Sequence, residues 1–132
     1  MTSFSRLISA LAFTTLVFMS ACGGGGGGSK SSPWVGSWLL QTVNGADVSS
    51  LRLIYIFSET TIHVDATAYN CTSDVDFSSD GTTYTSVVTG GDCPGIGNTS
   101  SGTISFEGNS MTIHETEYRG EPIDSLDVFT RM

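Results

Sequence analysis

The side chains best suited to metal binding or catalysis are two histidines that stand near acidic residues. His63 lies two positions before Asp65, so both side chains would share one face of a β-strand. His114 is followed by Glu115 and Glu117. A zinc site takes three or four protein ligands, and two ligands on one strand face do not complete one. We therefore predict no metal site.

Nucleophilic and acid–base chemistry has no recognisable motif in this sequence. The many serines and threonines never fall into the Gly-x-Ser-x-Gly turn that exposes a catalytic serine. The paired acids Asp74 and Asp76 lie next to polar residues, on a strand face that should be solvated. We predict that the protein is not an enzyme and needs no cofactor.

Aromatic side chains are the candidates for contacts with a small ligand. Tyr55, Phe57 and Tyr84 lie in segments rich in β-branched and aromatic residues. Ligand pockets are lined mainly by apolar and aromatic side chains, so these three are candidate ligand-binding residues. Packing of the same side chains in a core is the alternative.

The stretch Met19-Ser20-Ala21-Cys22 places a cysteine where an exported protein would be cut. An apolar run over residues 7–19 precedes it, too short for a spanning helix and suited to a signal peptide. The arrangement resembles the lipobox of bacterial lipoproteins. The resemblance implies a signal peptide over residues 1–21 and fatty chains such as palmitate on Cys22. A plain secretory signal with an incidental Cys22 is the alternative.

A tether is predicted over residues 22–33, because its glycines and serines bury too little apolar surface to become ordered. Residues 34–132 are long enough for one small folded domain. The lipoprotein resemblance implies localisation in a bacterial cell envelope, with the membrane as a partner through the lipid anchor. The position directly after Cys22 is Gly23 rather than aspartate, and in this it resembles lipoproteins that pass to the outer membrane.

The net charge restricts the possible partners of the domain, and the two remaining cysteines indicate how it is cross-linked. The net charge of −8 argues against nucleic acid as a partner. If Cys22 carries lipid, Cys71 and Cys93 remain, and an exported domain lies in an oxidising compartment. We predict a Cys71–Cys93 disulfide, which would contribute about 3 kcal/mol in the chain-entropy model. No C-x-x-C spacing points to a redox or metal site instead.

Short runs of β-branched and aromatic residues alternate with turn residues throughout the domain, which is typical of an all-β protein. Asn44-Gly45 and Asp80-Gly81 are strong hairpin signals. The predicted strands are residues 35–43, 51–57, 60–69, 71–77, 83–89, 102–106, 110–118 and 125–131. An irregular loop is predicted over residues 90–101. In the last strand, Leu126 and Val128 should share one face, with Asp127, Phe129 and Arg131 on the other.

Eight short strands joined mostly by tight turns favour an antiparallel up-and-down barrel, which leaves no free edges. A two-sheet β-sandwich is the alternative architecture. Small barrels are usually filled by side chains. The candidate core residues are Trp38, Leu40, Leu53, Tyr55, Phe57, Phe77, Ile104, Phe106 and Ile113.

Gly36-Ser37-Trp38 in the first strand resembles the Gly-x-Trp opening of lipocalins and the wider calycin group. In that group an arginine near the end of the barrel commonly packs across this tryptophan. Arg131 is the matching position here, and the resemblance implies that Gly36, Trp38 and Arg131 pack together at the barrel base. The layout of the chain is similar to that of small bacterial lipocalin-like lipoproteins.

This resemblance implies a lipid-anchored binding module that holds a small apolar or amphipathic ligand. The strands are shorter than those of lipocalins that hold large ligands, so a filled interior is a second expectation. The alternative function is that of an envelope structural or interaction protein, or a protease-inhibiting barrel, that contacts a protein partner through loop 90–101.

Overall fold

A computed structural model of the protein describes residues 31–132. The predicted signal peptide, Cys22 and most of the predicted tether lie outside the described residues. Strands dominate the described part, with two short 3-10 turns at Ser49–Leu51 and Thr67–Tyr69. The strands are β1 (Gly36–Val43), β2 (Ala46–Asp47), β3 (Leu53–Phe57), β4 (Thr61–Ala66), β5 (Cys71–Ser79), β6 (Thr83–Gly91), β7 (Thr99–Glu107), β8 (Ser110–Tyr118) and β9 (Glu121–Arg131).

The strands form one closed antiparallel sheet. From β3 to β9 each strand pairs with the next, β3 pairs with β1, and β1 also pairs with β9. The two-residue strand β2 pairs with the end of β1, on the edge that β3 occupies further along. The result is an eight-stranded up-and-down barrel, as predicted. Closure through the β1–β9 pair excludes the two-sheet sandwich.

Turn residues set the hairpins where the sequence indicated them. Val43 pairs with Ala46, which leaves Asn44-Gly45 as a two-residue loop. Both turn residues have positive φ, 51° and 81°, as the tight hairpin turn demands. The Asn44 side chain also accepts a hydrogen bond from the backbone N–H of Leu126, 2.8 Å away. The turn between β1 and β2 is therefore tied to β9.

Several predicted boundaries were wrong. The strands predicted over residues 51–57 and 60–69 are shorter, because 3-10 turns take Ser49–Leu51 and Thr67–Tyr69. The predicted loop 90–101 is reduced to residues 92–98, since β6 runs to Gly91 and β7 begins at Thr99. The last strand begins at Glu121 rather than residue 125. Cross-strand pairing extends β6 and β7 through Gly-, Ser- and Thr-rich stretches, and β9 through residues 121–122, that show no apolar alternation.

Asp127, Phe129 and Arg131 share one face of β9, as predicted, and this face is the one that points into the barrel. Asp127 pairs directly with Ile113, and Phe129 pairs with Met111. Direct cross-strand partners share a face of the sheet, and Ile113 and Met111 are buried inside the barrel. Phe129 is accordingly 2% exposed, whereas Leu126 is 42% exposed.

The base of the barrel is the end at which β1 begins and β9 ends. The loop end is the opposite end, formed by residues 44–52, 67–70, 92–98 and 119–120. A cluster of buried side chains fills the interior from the base upward. Its members are Trp34, Trp38, Leu40, Phe57, Ile62, Val75, Phe77, Tyr84, Ile104, Met111, Ile113 and Phe129. Among the described residues, no helix is long and apolar enough to span a membrane.

Candidate functional site

Arg131 and Trp38 pack together at the base. The Arg131 Cζ atom lies 4.2 Å from the centre of the fully buried Trp38 ring. Arg131 also donates hydrogen bonds to the backbone carbonyls of Val35 (3.0 Å) and Pro33 (2.9 Å). The guanidinium charge is thus held by one aromatic face and two carbonyl dipoles.

Gly36 makes room for this arrangement. A Cβ atom at this position would lie 2.6 Å from Nη1 of Arg131, and the backbone φ is 137°. Both facts require a residue without a side chain. The contact implied by the lipocalin resemblance among Gly36, Trp38 and Arg131 is therefore present in the structure.

Trp34 completes the closure of the base. Its indole Nε1 donates to the Ser58 carbonyl (3.2 Å), and its ring meets Phe77 edge-on at 5.8 Å between ring centres. The Trp34 carbonyl accepts a hydrogen bond from Trp38 Nε1 at 2.8 Å. The segment that leads into β1 therefore crosses the base and seals it with aromatic surface.

The Cys71–Cys93 disulfide, as predicted, restrains the loop end. Its Cα atoms are 5.0 Å apart, and it joins the start of β5 to the loop of residues 92–98. The N–H groups of Asp92 and Cys93 both donate to the Thr72 carbonyl. In the described part, the one close group of three potential metal ligands is Cys71, Asp92 and Cys93. Both sulfurs of that group are used in the disulfide.

A cavity of about 300 Å³ lies inside the barrel between the filled base and the loop end. Most of its wall is aromatic and aliphatic: Tyr55, Phe57, Ile62, Val64, Val75, Tyr84, Val88, Ile113, Tyr118 and Phe129. The rest of the wall is polar: Ser73, Ser86, Asn98, Thr99, Ser100, Glu115 and Asp127. A predominantly apolar wall with a few converging polar groups is typical of small-molecule sites.

The three aromatic residues predicted to contact a ligand all line this cavity. Tyr55 packs edge-on against Phe129, with ring centres 4.9 Å apart. The Tyr84 hydroxyl forms a hydrogen bond with Ser100 Oγ at 2.7 Å. Phe57 is nearly fully buried and belongs to the core as well as to the cavity wall. The pocket and core interpretations of these residues therefore both apply.

Two acidic residues in the cavity wall were not predicted as site residues. Glu115 accepts a hydrogen bond from the Ser100 hydroxyl, which also contacts Tyr84. Asp127 accepts one from the Ser125 hydroxyl at 3.2 Å. The alternation of Met111 and Ile113 in β8 could have indicated that Glu115 faces inward.

The electrostatics of the cavity follow from burial of these groups. Burial raises the pKa of Asp127; the hydrogen bond from Ser125 opposes the shift and the charge of Glu115 adds to it. Burial is the main cause that raises the pKa of Tyr55 to about 12, and the charges of Asp127 and Glu115 add to the shift. Burial also raises the pKa of Tyr84 to about 12. The tyrosines therefore stay neutral at ordinary pH.

The histidines lie apart from the cavity. His63 Nδ1 lies within hydrogen-bond distance of Asp74 Oδ1, at 2.7 Å, rather than of Asp65. His114 Nε2 contacts Asp124 at 2.6 Å. Both pairs are exposed to solvent, where such contacts contribute little to stability. Neither pair belongs to a group of three potential ligands among the described residues.

A wider groove of about 500 Å³ lies on the outer face of β5, β6 and β7, and several serines and threonines line it. This groove is open to solvent and would enclose a ligand less completely than the interior cavity. Comparisons with protein-family models, curated proteins and solved structures found no match to this chain. The function is therefore inferred from the cavity itself.

Proposed function

We propose that this protein is a lipid-anchored, lipocalin-like binding module that holds a small apolar or amphipathic ligand inside its barrel. The single observation that supports this proposal most directly is the half-filled interior. Aromatic packing closes the base, while the space above it stays open and is lined mainly by apolar side chains. A structural barrel of this size would gain stability by filling that space.

The cavity size restricts the ligand. A volume of about 300 Å³ is at the lower end of the range of ligand pockets, and it corresponds to the liquid volume of about ten water molecules. The proposed ligand is therefore a single ring or a short chain, rather than a large lipid. The proposed role is binding, with no catalytic step.

Binding can be tested with 2-phenylethanol, a neutral amphipathic probe of suitable size, added to protein expressed from the full-length sequence. Titration calorimetry and NMR should show saturable binding, with shifts centred on Val75, Val88 and Ile113. Ser73→Phe places a ring in the cavity and should abolish binding. Ser78→Phe, on the outer face of the same strand, is the matched control and should leave binding intact. Equal binding by both variants, or none by the unmodified protein, would contradict the proposal.

The lipid anchor is the second part of the proposal, and the sequence around Cys22 supports it. In a bacterial host, labelled palmitate should attach to the wild-type protein and place it in the envelope membranes, with the outer membrane expected. Cys22→Ala should lose the label and the membrane association. Gly28→Ala, a change of similar size in the proposed tether, should keep both. Labelling that survives Cys22→Ala would reject the anchor.

A protein partner at the loop of residues 92–98 is the second candidate function. Ile96 is 63% exposed on this loop, which the disulfide and the Asp92–Thr72 hydrogen bond hold in place. A restrained loop with an exposed apolar tip suits an interaction protein or a protease inhibitor. Ile96→Ser should release a partner retained in a pull-down, whereas Ile56→Ser, an exposed isoleucine on β3, should not.

A further inference from the structure

The cavity contains two carboxylates and no basic side chain among the described residues that line it. Glu115 enters from β8 and Asp127 from β9, on the inner faces of neighbouring strands. Arg131, the cationic residue of the strand that carries Asp127, is already held at the base by Trp38 and two backbone carbonyls. The interior acids therefore lack an internal cation.

Enclosed charges of one sign are unfavourable unless a counter-charge or strong hydrogen bonds compensate them. Each of the two acids receives a hydrogen bond from a serine hydroxyl, Ser100 for Glu115 and Ser125 for Asp127. These neutral donors stabilise the carboxylates but leave their charge in place. A positively charged ligand group would remove the imbalance.

The Tyr55 hydroxyl adds a third polar group to the same space. Tyr84 and Tyr118 find partners in Ser100 and Asn98, whereas no hydrogen bond joins the Tyr55 hydroxyl to another described residue. Tyr55 lines the cavity, and its hydroxyl lies close enough to Asp127 and Glu115 for both charges to raise its pKa. An acceptor is therefore left free beside the two carboxylates.

This set of groups fits an organic ammonium better than a metal ion. A primary ammonium carries three N–H donors, which matches two carboxylates and one hydroxyl oxygen. Calcium takes six to eight oxygen ligands, and these two acids belong to no group of three close acidic, histidine or cysteine ligands in the described part. The apolar walls of the cavity suit the rest of an amphipathic amine.

We propose that Glu115, Asp127 and Tyr55 bind the cationic group of a small amphipathic organic amine, with its apolar part against the cavity wall. This inference rests on the proposed ligand-binding function and names the ligand class for that site. It makes the acids specificity-determining groups: they select a cation over neutral and anionic molecules of the same shape.

Three probes with the same phenyl group test the proposal in the protein expressed from the full-length sequence. They are phenethylamine, a cation at neutral pH, 2-phenylethanol, which is neutral, and 3-phenylpropionate, an anion. The amine should bind about tenfold more tightly than the alcohol, because hydrogen bonds to charged groups are the stronger ones. 3-Phenylpropionate should bind more weakly than either of the other two probes. Equal affinity for amine and alcohol would overturn this inference while leaving the ligand-binding function intact.

Isosteric variants identify the groups responsible. Glu115→Gln and Asp127→Asn should each lower the affinity for phenethylamine about tenfold and so remove most of its advantage over 2-phenylethanol. Glu117→Gln, which removes an acid from the exposed part of the same strand, is the matched control and should keep the preference. A preference that survives both cavity variants would reject the assignment, and so would displacement of the amine by millimolar calcium. Thermal melting checks that each variant is folded.

Discussion

The base and the cavity of this barrel use similar side chains in different ways. At the base, buried aromatic rings pack against one another, and the charged group of Arg131 contacts a ring and two carbonyls. In the cavity, Tyr55 and Tyr84 stand around open volume, and Glu115 and Asp127 have no cationic partner among the residues that line it. One end of the interior is optimised for stability and the other is not.

This difference indicates where selection for function acts in a small barrel. A domain of about 100 residues has little stability in reserve, on the order of 5–15 kcal/mol. Space and unbalanced charge both reduce that reserve. Both are concentrated at one end of the interior, next to a base of buried aromatic side chains. This arrangement is expected of a binding site that is supported by a closed end.

Trp38→Ala is expected to have the largest effect, since it removes the central ring of the base. Truncation of a buried Trp or Phe costs about 3–5 kcal/mol of unfolding free energy. Tm should fall by more than about 10 °C. Val88→Ala, in the cavity wall, should cost about 1 kcal/mol, because that wall already faces open space. Equal losses in chemical denaturation would contradict the contrast between the two halves.

Removal of the disulfide should have the next largest effect on stability. Cys71 and Cys93 are 22 positions apart, and a loop of this length contributes about 3 kcal/mol in the chain-entropy model. The double variant Cys71→Ser/Cys93→Ser should lower the unfolding free energy by about that amount. Hydrogen exchange should accelerate most in residues 92–98 and stay slow around Trp38. Uniform acceleration would show that the link supports the whole barrel rather than its loop end.

Much of the fold could be predicted from the sequence because local signals agree with it. Ile62, Val64 and Ala66 alternate inward as β4 requires, and Asn44-Gly45 forms a hairpin. The contact between Trp38 and Arg131 could be anticipated only through the resemblance to lipocalins. Nothing in the local pattern brings together two residues at opposite ends of the domain.

Of the two interior acids, Glu115 could have been predicted from the alternation of β8, whereas an inward-facing Asp127 contradicts the rule that polar residues face solvent. The alternation in the last strand groups Asp127 with Phe129 but does not say which face is inward; the β8–β9 register shows that it is the face of these two residues. A further obstacle is the bulge between Glu115 and Glu117, which shifts the strand so that Tyr118 lines the cavity. Departures from local pattern of this kind are expected at functional sites.

Arg131→Met should have an intermediate effect and shows whether the base depends on charge as well as packing. Methionine keeps part of the apolar stem, but it loses the cation–π contact and both hydrogen bonds to backbone carbonyls. A loss of about 2 kcal/mol is expected, with reduced protection of the segment around Trp34. Arg52→Met, a surface change of the same type, should have almost no effect. A similar loss in both variants would indicate a general charge effect.

Asp127→Asn should have the smallest effect on stability. Unlike the other variants, it should raise the stability rather than lower it. Because the pKa of Asp127 is raised in the folded state, the folded protein holds this proton more tightly than the unfolded chain. The stabilisation from protonation is present at low pH and is lost as the pH rises from about the ordinary value of 3.8 through the raised one. The asparagine variant should therefore match the wild type in acid and be slightly more stable at pH 7.

The comparison of the two proteins across pH isolates this one group. Asp47, Glu59 and Asp80 have lowered pKa values because of hydrogen bonds, so they destabilise the fold in acid, but they do so equally in both proteins. Added phenethylamine should then reverse the order at pH 7, because it binds more tightly to, and so stabilises more, the protein that keeps the Asp127 carboxylate. A wild type that is neither less stable alone nor more stabilised by phenethylamine would remove the charge imbalance that distinguishes the cavity from the base.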